Sequence, residues 1–346
     1  MAASILTAAI DALASRRDLD QEQAAGVLAQ IMAGEATEVE IAAFLIALRT
    51  KGETEAELAG LAQAMRSLAT PVITARADLL DTAGTGGGRP TFNVSTTAAL
   101  IAAGAGCAVA KHGNRSATGL SGSADLLEAL GARIDLAPHA VGRCVDQVGF
   151  GFMFAPAHHP ATRFVVPVRK ALGVRTIFNF LGPLTNPAGA RRQLVGVSDP
   201  GMLETMARAL ARLGVARALL VSSEAGLDEM STAAPTRVVE VAGEDVRAYT
   251  VTPEDGGLPR SETGALQGGT PAENAATTRA IFAGQDGPAR DVALLNAGAA
   301  IYAAGAAGNL AEGVEAARTA VDSGAAMRTL DALVARTGEL AEAPTS

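Results

Sequence analysis

The chain has 346 residues, 49% of them hydrophobic and 18% charged, which is enough for one large domain or two ordinary ones. Its formal net charge of −8 argues against nucleic acid as a partner, because the potential of an acidic protein repels a polyanion. No stretch reaches the roughly 20 apolar residues of a membrane span, and the first residues lack a basic signal-peptide segment. We therefore expect a cytoplasmic protein without a membrane partner.

Residues 1–70 predict a small bundle of helices. Their apolar residues recur at intervals of three and four, as one face of an α-helix requires, and no strand pattern interrupts them. Asp18 and Thr37 are the expected N-caps, and Glu40 completes a capping box with Thr37.

From Asp78 onward, short apolar runs alternate with amphipathic segments. This alternation indicates an α/β fold with a central, largely parallel sheet. The runs that we expect to form strands are 79–80, 107–110, 149–155, 194–197, 218–221 and 238–241.

The chain therefore predicts two domains. The first is a small helical domain of residues 1–70, joined by an inserted, proline-punctuated helical segment at about 160–190. The second is a larger α/β domain of residues 71–159 and 191–346, in which alanine-rich helices follow the last strand. The inserted segment is expected to pack on the N-terminal bundle.

A glycine-rich segment, DTAGTGGG at residues 81–88, follows the first predicted strand and precedes a helix that begins near residues 93–96. Glycines let backbone N–H groups approach an anion closely, and a helix N-terminus adds positive potential, so the segment suits a phosphate group. Its spacing matches neither the Walker A motif nor the dinucleotide fingerprint. By itself, the segment is equally compatible with an ordinary strand-to-helix turn.

A second polar segment, KHGNRSATG at residues 111–119, also follows an apolar run. It combines lysine, arginine, asparagine and hydroxyl groups in one predicted loop, which suits a polyanionic ligand. The alternative is a solvated loop. The apolar sequence on both sides disfavours that alternative, because so many polar groups are costly there unless something pairs with them.

The adjacent carboxylates Asp228 and Glu229 follow another predicted strand. Mg²⁺ commonly binds one or two carboxylates together with water and substrate phosphates, although an acidic pair can also simply begin a helix. Two anion-binding loops and a carboxylate pair together indicate a diphosphate leaving group that is bound with Mg²⁺.

Seven segments, taken in order, resemble the anthranilate phosphoribosyltransferase family of the nucleoside phosphorylase/phosphoribosyltransferase fold. They are DTAGTGG, TFNVST, KHGNRSATGLSGSADLLEALG, FMFAPAHHPA, VRKALGVRTIFNFLGPLTNPA, GLDEMSTAAPT and LLNAGAAIY. The resemblance implies transfer of a phosphoribosyl group from 5-phosphoribosyl 1-diphosphate (PRPP) to the amine of anthranilate, in tryptophan biosynthesis. It also implies an active site between the helical and α/β domains, two Mg²⁺ ions, and a homodimer that associates through the helical domain.

The resemblance also implies site residues. The PRPP ligands would be Gly84, Gly87, Gly88, Thr91, Asn93, Val94, Ser95, Thr96, Lys111, His112, Gly113, Asn114, Arg115, Ser116, Ala117, Thr118, Gly119 and Ser123. The anthranilate ligands would be Gly84, His112, Asn114, His159 and Arg169, with the arginine pairing with the carboxylate. The metal ligands would be Ser95, Asp228 and Glu229, and Lys111 and Arg115 would act in catalysis by stabilising the leaving diphosphate. Anthranilate's amine is neutral at pH 7, so no residue is assigned as a general base.

The family commonly has an aspartate and a glycine after GTGG, whereas this chain continues with Gly88, Arg89 and Pro90, one residue shorter. The diphosphate loop is thus expected to differ in geometry, and Arg89 offers an additional charge. Two rival functions share the fold. A pyrimidine nucleoside phosphorylase would need a pyrimidine pocket in place of the carboxylate pair, and a non-catalytic nucleic-acid-binding relative would need a basic groove.

Overall fold

The computed structural model describes residues 4–116 and 119–342. The helices are α1 (Ile5–Ala14), α2 (Gln21–Met32), α3 (Glu38–Lys51), α4 (Glu55–Ser67), α5 (Val94–Gly104), α6 (Ser123–Ala129), α7 (Pro138–Val148), α8 (Ala155–His158), α9 (Val166–Leu172), α10 (Phe178–Leu181), α11 (Leu203–Arg212), α12 (Pro271–Phe282), α13 (Pro288–Ala303), α14 (Leu310–Asp322) and α15 (Ala325–Glu342). The strands are β1 (Leu80–Asp81), β2 (Val109–Gly113), β3 (Phe150–Phe154), β4 (Arg192–Gly196), β5 (Arg217–Ser223), β6 (Thr236–Ala242) and β7 (Asp245–Val251). None of the helices in these two ranges is long and apolar enough to cross a membrane.

The N-terminal helices begin at side-chain caps. Thr37 forms the expected capping box with Glu40 at the start of α3. Asp18 was expected to cap α2, and this prediction is wrong, since the cap is Asp20. The Asp18 carboxylate instead accepts a hydrogen bond from the Lys51 ammonium group at 2.7 Å, so a tertiary ion pair holds it.

The inserted helices α8–α10 lie between β3 and β4 in the chain, and they return to the bundle, where α9 packs on α3 and α10 on α4. The core of the bundle continues through α11 into one face of the sheet. Phe44 of α3, Leu210 of α11 and Leu220 of β5 belong to the same buried apolar cluster. A second cluster fills the other face of the sheet beneath α5 and α13.

The seven strands form one sheet in the order β3-β2-β1-β4-β5-β6-β7. The first five strands in this order are mutually parallel, while β6 runs antiparallel to β5 and β7 runs antiparallel to β6. This architecture confirms the predicted fold class, a helical part with a largely parallel α/β sheet. The prediction missed β7, because this edge strand is mostly exposed and lacks the apolar run that marks the others.

The strand order reverses at β1. The chain runs from β1 outward through β2 and β3, then returns to place β4 on the other side of β1. In open α/β sheets, ligands bind in the crevice outside the carboxyl ends of the strands at such a reversal. The segments that follow β1 and β4 lie at that crevice. The segment after β1 is the glycine-rich one, so it lies where a ligand is expected.

Candidate active site

The glycine-rich segment rests on the neighbouring strand ends. The Thr85 N–H donates to the Gly196 carbonyl at 2.8 Å, and the Thr85 hydroxyl accepts from the Ser198 N–H at 3.0 Å. Farther along, the Arg89 N–H donates to the Gly226 carbonyl at 3.1 Å. The segment is therefore held between β4 and the loop after β5, and this loop carries the carboxylate pair.

Asp228 packs directly against glycines of both neighbouring segments. A Cβ atom on Gly88 would collide with the Asp228 carboxylate, and one on Gly196 would collide with the Asp228 carbonyl oxygen. Gly84 lies in the same place, where a Cβ would be 3.5 Å from the carboxylate. Gly84 and Gly88 are predicted from the glycine-rich motif, whereas Gly196 is not, because a single glycine at a strand end carries no signal of its own.

A small cavity of about 40 Å³ lies at this point. Its walls are Thr82, Gly84, Ser95, Leu194, Gly196, Val221, Asp228, Glu229 and Asn296. The structure thus brings together the three residues predicted to bind metal, Ser95 from the start of α5 and the two carboxylates from the loop after β5.

The carboxylate of Glu229 is only partly satisfied. Its Oε1 accepts from the Thr91 hydroxyl at 3.1 Å, while its Oε2 is buried and has no hydrogen-bond partner among the residues that the structure describes. Burial raises the pKa of both Asp228 and Glu229, and the charge of Asp228 raises that of Glu229 further. A cation in the cavity would offset both effects.

This donor set fits Mg²⁺, which takes oxygen ligands and leaves positions for water and phosphate. In residues 4–116 and 119–342 no group of three or more His, Cys, Asp or Glu side chains is placed to hold a metal ion. Two carboxylates and a hydroxyl suit a magnesium ion that the substrate's own phosphates help to bind. They do not suit an all-protein metal cage.

Helix α5 begins at the cavity and at an unusual backbone conformation. Asn93 precedes it with a φ of +66°, a left-handed conformation that few non-glycine residues adopt. The Asn93 amide donates to the Ser121 carbonyl at 2.9 Å, and its oxygen accepts from Ser121 Oγ and Asn274 Nδ2, both at 2.8 Å. The Asn93 side chain thus bonds to other protein groups. Its main contribution to ligand binding would be to set the direction in which the N-terminus of α5 points.

Lys111, His112 and Gly113 lie within β2, so the prediction that they belong to a loop is wrong. The strand continues past its apolar run because each residue pairs with β3, Lys111 opposite Phe152. Lys111 is buried, and its ammonium group donates to the Thr82 carbonyl and hydroxyl oxygens, both at 2.9 Å. Burial lowers the pKa of Lys111 to about 8, although nearby carboxylates oppose the shift.

The polar loop after β2 is organised by Asp125, a residue of α6. Its Oδ2 accepts from the N–H groups of Gly122 at 2.8 Å and Ser116 at 3.1 Å, and its Oδ1 accepts from Arg115 at 2.9 Å. Arg115 also pairs with Glu128. The sequence alone assigns no role to Asp125, because its backbone and arginine partners come together only in the folded loop.

The other residues predicted in this loop bond mainly to each other. The Ser123 hydroxyl donates to the Asn114 carbonyl at 3.2 Å, and the Gly119 N–H donates to the Ser116 hydroxyl at 2.7 Å. Ala117 and Thr118 lie outside the described residues.

Two of the predicted anthranilate residues, His112 and His159, face each other across the boundary between β2 and the inserted segment. Their ring centroids are 5.1 Å apart, and the Nε2 atom of each is buried with no hydrogen-bond partner within residues 4–116 and 119–342. His112 Nδ1 lies 3.1 Å from the Gly182 carbonyl, so its neutral tautomer donates from Nδ1. Burial lowers the pKa of His112 to about 3 and that of His159 to about 4, which keeps both rings neutral near pH 7.

Arg169 is a half-buried cation on α9. Its guanidinium carbon lies 5.4 Å from the centroid of the Phe178 ring. Burial alone lowers its pKa, and in the described part of the chain no carboxylate pairs with it. Arg175, which the sequence did not distinguish from a surface charge, instead donates to the Gly87 carbonyl at 3.2 Å and so contacts the glycine-rich segment.

Residues 76–327 match the family model described as glycosyl transferase family, a/b domain, and residues 7–69 match the helical bundle domain of the same family. The chain is therefore a member of this glycosyltransferase family. An anthranilate phosphoribosyltransferase of Symbiobacterium thermophilum is 53% identical over 92% of this chain and 94% of the relative. The chain belongs to the anthranilate phosphoribosyltransferase family, as the sequence motifs predicted.

Solved structures agree with this membership. The crystal structure of anthranilate phosphoribosyltransferase from Thermus thermophilus matches with a TM-score of 0.91 and 48% identity, over 95% of this chain and 99% of that chain. The enzyme from Saccharomyces cerevisiae in complex with PRPP and Mg matches with a TM-score of 0.88 and 27% identity, over 96% and 98%.

Proposed function

We propose that this chain transfers the phosphoribosyl group of PRPP to the amine of anthranilate, giving N-(5-phosphoribosyl)anthranilate and diphosphate in tryptophan biosynthesis. The observation that carries the proposal is the juxtaposition of Asp228 and Glu229 with the glycine-rich segment at the strand-order reversal. The chain's 53% identity to a named anthranilate phosphoribosyltransferase supports the same function.

In the proposed reaction, the amine nitrogen forms a bond to C1 of the ribose as the bond from C1 to the diphosphate oxygen breaks. The diphosphate leaves with the bonding electrons, and the amine loses one proton. Negative charge therefore grows on the diphosphate, and Mg²⁺, when bound, would neutralise part of it. We propose two ions, held by Asp228, Glu229 and Ser95.

The glycine-rich segment and the N-terminus of α5 would bind the diphosphate through backbone N–H groups. Lys111 would act through Thr82, since its ammonium group reaches that residue and is buried. Arg115 and the other residues named above for PRPP remain part of the proposal.

Arg169 would bind the anthranilate carboxylate, because a half-buried guanidinium that has no anionic partner in the described part of the chain is stabilised by one. The neutral rings of His112 and His159 would line the aromatic pocket without adding charge. Neither ring is needed as a strong base, since an aryl amine is already unprotonated at pH 7.

The assembly and location complete the proposal. We propose that residues 1–70 and 160–190 form one domain and the remainder the other, in a cytoplasmic homodimer. Val39 and Ile46 of α3 are exposed apolar residues seven positions apart, 79% and 36% accessible, and thus lie on one helix face that a second copy would cover.

The experiment is to follow the loss of anthranilate fluorescence after purified protein is mixed with PRPP, with and without Mg²⁺. A Mg²⁺-dependent decay is the expected result. If both substrates bind but the fluorescence does not decay, the altered geometry of the shortened loop at Gly88 and Arg89 would be the cause. The rival phosphorylase, which the relatives do not favour, predicts turnover of thymidine with phosphate, and a nucleic-acid-binding relative predicts a mobility shift at physiological salt.

A further inference from the structure

Asn296 is a buried residue near the middle of α13, with 2% of its surface exposed. Its side-chain oxygen accepts from the Met230 N–H at 3.0 Å, and its side-chain nitrogen donates to the Met230 carbonyl at 2.8 Å. A single amide group thus pairs with both backbone polar groups of Met230, the residue that directly follows Glu229.

The orientation of this amide group is determined by its surroundings. The second proton of Asn296 Nδ2 is donated to the Val292 carbonyl at 2.9 Å, one turn earlier on the same helix. If the amide were rotated by 180°, its nitrogen would face the Met230 N–H and its oxygen would face two carbonyls. Only one orientation satisfies all three contacts, so the Asn296 amide is fixed and holds the Met230 peptide in a defined position.

The carboxylate segment is also anchored on its other side. The Leu227 carbonyl accepts from the Ser223 N–H at 3.0 Å, at the end of β5. Asp228 and Glu229 are therefore the two residues between an anchor on the sheet and an anchor on α13. Asn296 lines the same small cavity as both carboxylates.

Helix α13 also packs against α5, whose first turn carries Ser95. The helix that holds the carboxylate segment through Asn296 therefore also supports the element that carries the third proposed metal ligand. A shift in the position of the Met230 peptide would therefore move the two carboxylates relative to Ser95, even if α5 and α13 kept their positions.

We propose that Asn296 is a positioning residue, which fixes the Met230 peptide and thereby the placement of the Asp228 and Glu229 carboxylates for a divalent cation. The proposal rests on the magnesium role proposed above. Asn296 touches neither substrate nor reacting atoms in this role and acts only through the segment that it binds. Residues that orient metal ligands in this way commonly change metal affinity by about 10- to 100-fold when they are replaced.

The experiment measures binding of magnesium diphosphate to the full chain by titration calorimetry, without any turnover. Asn296→Ala leaves both Met230 backbone groups unpaired, and we expect its affinity to fall by about tenfold or more. Asn296→Asp keeps the volume and the acceptor for the Met230 N–H, but it turns an oxygen toward two carbonyls. We expect it to fold and to lose affinity as well.

The matched control is Thr337→Ala. Thr337 is also buried on a helix, and its hydroxyl accepts from the backbone N–H of a distant residue, Arg133, at 3.1 Å. We expect this variant to bind magnesium diphosphate like the parent chain, even if its melting temperature falls as far as that of Asn296→Ala. The KM for anthranilate should stay unchanged in both Asn296→Ala and Thr337→Ala.

Two outcomes would overturn the inference. The first is parental affinity in Asn296→Asp, or in a folded Asn296→Ala, and the second is an equal loss in Thr337→Ala. The double variant Asp228→Ala/Glu229→Ala separates this failure from that of the proposed function. If the double variant also binds like the parent, the metal assignment itself is wrong. If it alone loses binding, only the role of Asn296 is wrong.

Discussion

The carbonyl oxygen of Asp228 occupies the space in which a Cβ atom of Gly196 would stand. The last residue of β4 is therefore a glycine because the carboxylate loop passes directly over it. This contact sets how deeply Asp228 reaches into the crevice, and it connects two segments that are more than thirty residues apart in the chain.

Gly196→Ala should consequently displace the carboxylate loop. We expect the free energy of unfolding to fall by about 1–3 kcal/mol, as for other overpacked sites, and Mg²⁺-dependent turnover to fall at least tenfold. Denaturant unfolding and the fluorescence assay measure the two effects. Gly338→Ala is the control, because no atom of the described residues lies within 4 Å of its Cβ position on α15. Full activity in Gly196→Ala would show that the loop position is unimportant.

Replacing Asp228 and Glu229 together by alanine should abolish turnover while the fold persists, because both carboxylates line the cavity where the cation would bind. Circular dichroism and the fluorescence assay test the two halves of this statement. Glu224→Ala, in the same loop but exposed, should retain activity. Retained Mg²⁺-dependent activity in the double variant would contradict the metal assignment.

Arg169→Ala should raise the KM for anthranilate at least tenfold and leave the KM for PRPP nearly unchanged, since the lost interaction is with the anthranilate carboxylate. Initial rates with each substrate varied in turn provide both constants. Arg163→Ala is a matched control from the same inserted segment, where this exposed arginine stacks 4.8 Å from the Phe164 ring. Equal increases in both constants would remove the assigned role.

Asp125→Ala should raise the KM for PRPP about tenfold or more, because the loop from Asn114 to Gly122 loses the acceptor that closes it. The same initial-rate measurements apply. Glu128→Gln is the comparison, since Glu128 also pairs with Arg115 but accepts from no backbone N–H among the loop residues that the structure describes, 114–116 and 119–122. If the two variants behave alike, the ion pair with Arg115 matters and the loop anchor does not.

Stability should depend on pH through His112 and His159. Burial holds their pKa values at about 3 and about 4 in the folded chain, below the ordinary 6.5. As pH falls below 6.5, the unfolded chain takes up protons that the folded chain does not. The free energy of unfolding therefore falls between pH 6.5 and about 4, by up to about 1.4 kcal/mol per pH unit for each ring.

Denaturant unfolding at several pH values checks this expectation. The double variant His112→Asn/His159→Asn should lose less stability between pH 6.5 and 4.5 than the parent chain. His139→Asn, at an exposed position of α7, should follow the parent. An unchanged slope in the double variant would mean that the buried rings take up protons in the folded state.

Most of the fold was predictable from the sequence because its strands and helices carry their own patterns. Six strands contain or adjoin buried apolar runs, and Thr37 caps its helix together with Glu40, three residues away. Two features depend instead on distant partners. Asp18 forms an ion pair with Lys51 of α3, and β7 forms because it pairs with the free edge of β6.

The candidate site divides in the same way. Asp228, Glu229 and Ser95 were predicted from motifs, and the structure brings them to one cavity. Gly196 and Asn296 were not predicted, because their contacts are with residues more than thirty positions away. Lys111 was placed in a loop because it follows the end of the apolar run 107–110, and its partner Thr82, which makes a buried lysine in a strand less costly, is far away in the sequence.

The bundle and one face of the sheet share a single apolar cluster, which runs from Phe44 through Leu210 to Leu220. Neither part can therefore melt while the other keeps its packing, and calorimetry should show one endotherm where two loosely joined domains would give two. Amide protons of α3 and β5 should exchange with solvent at a common, slow rate. A destabilising mutation in the bundle, far from any catalytic group, would then unfold the α/β part as well and abolish activity.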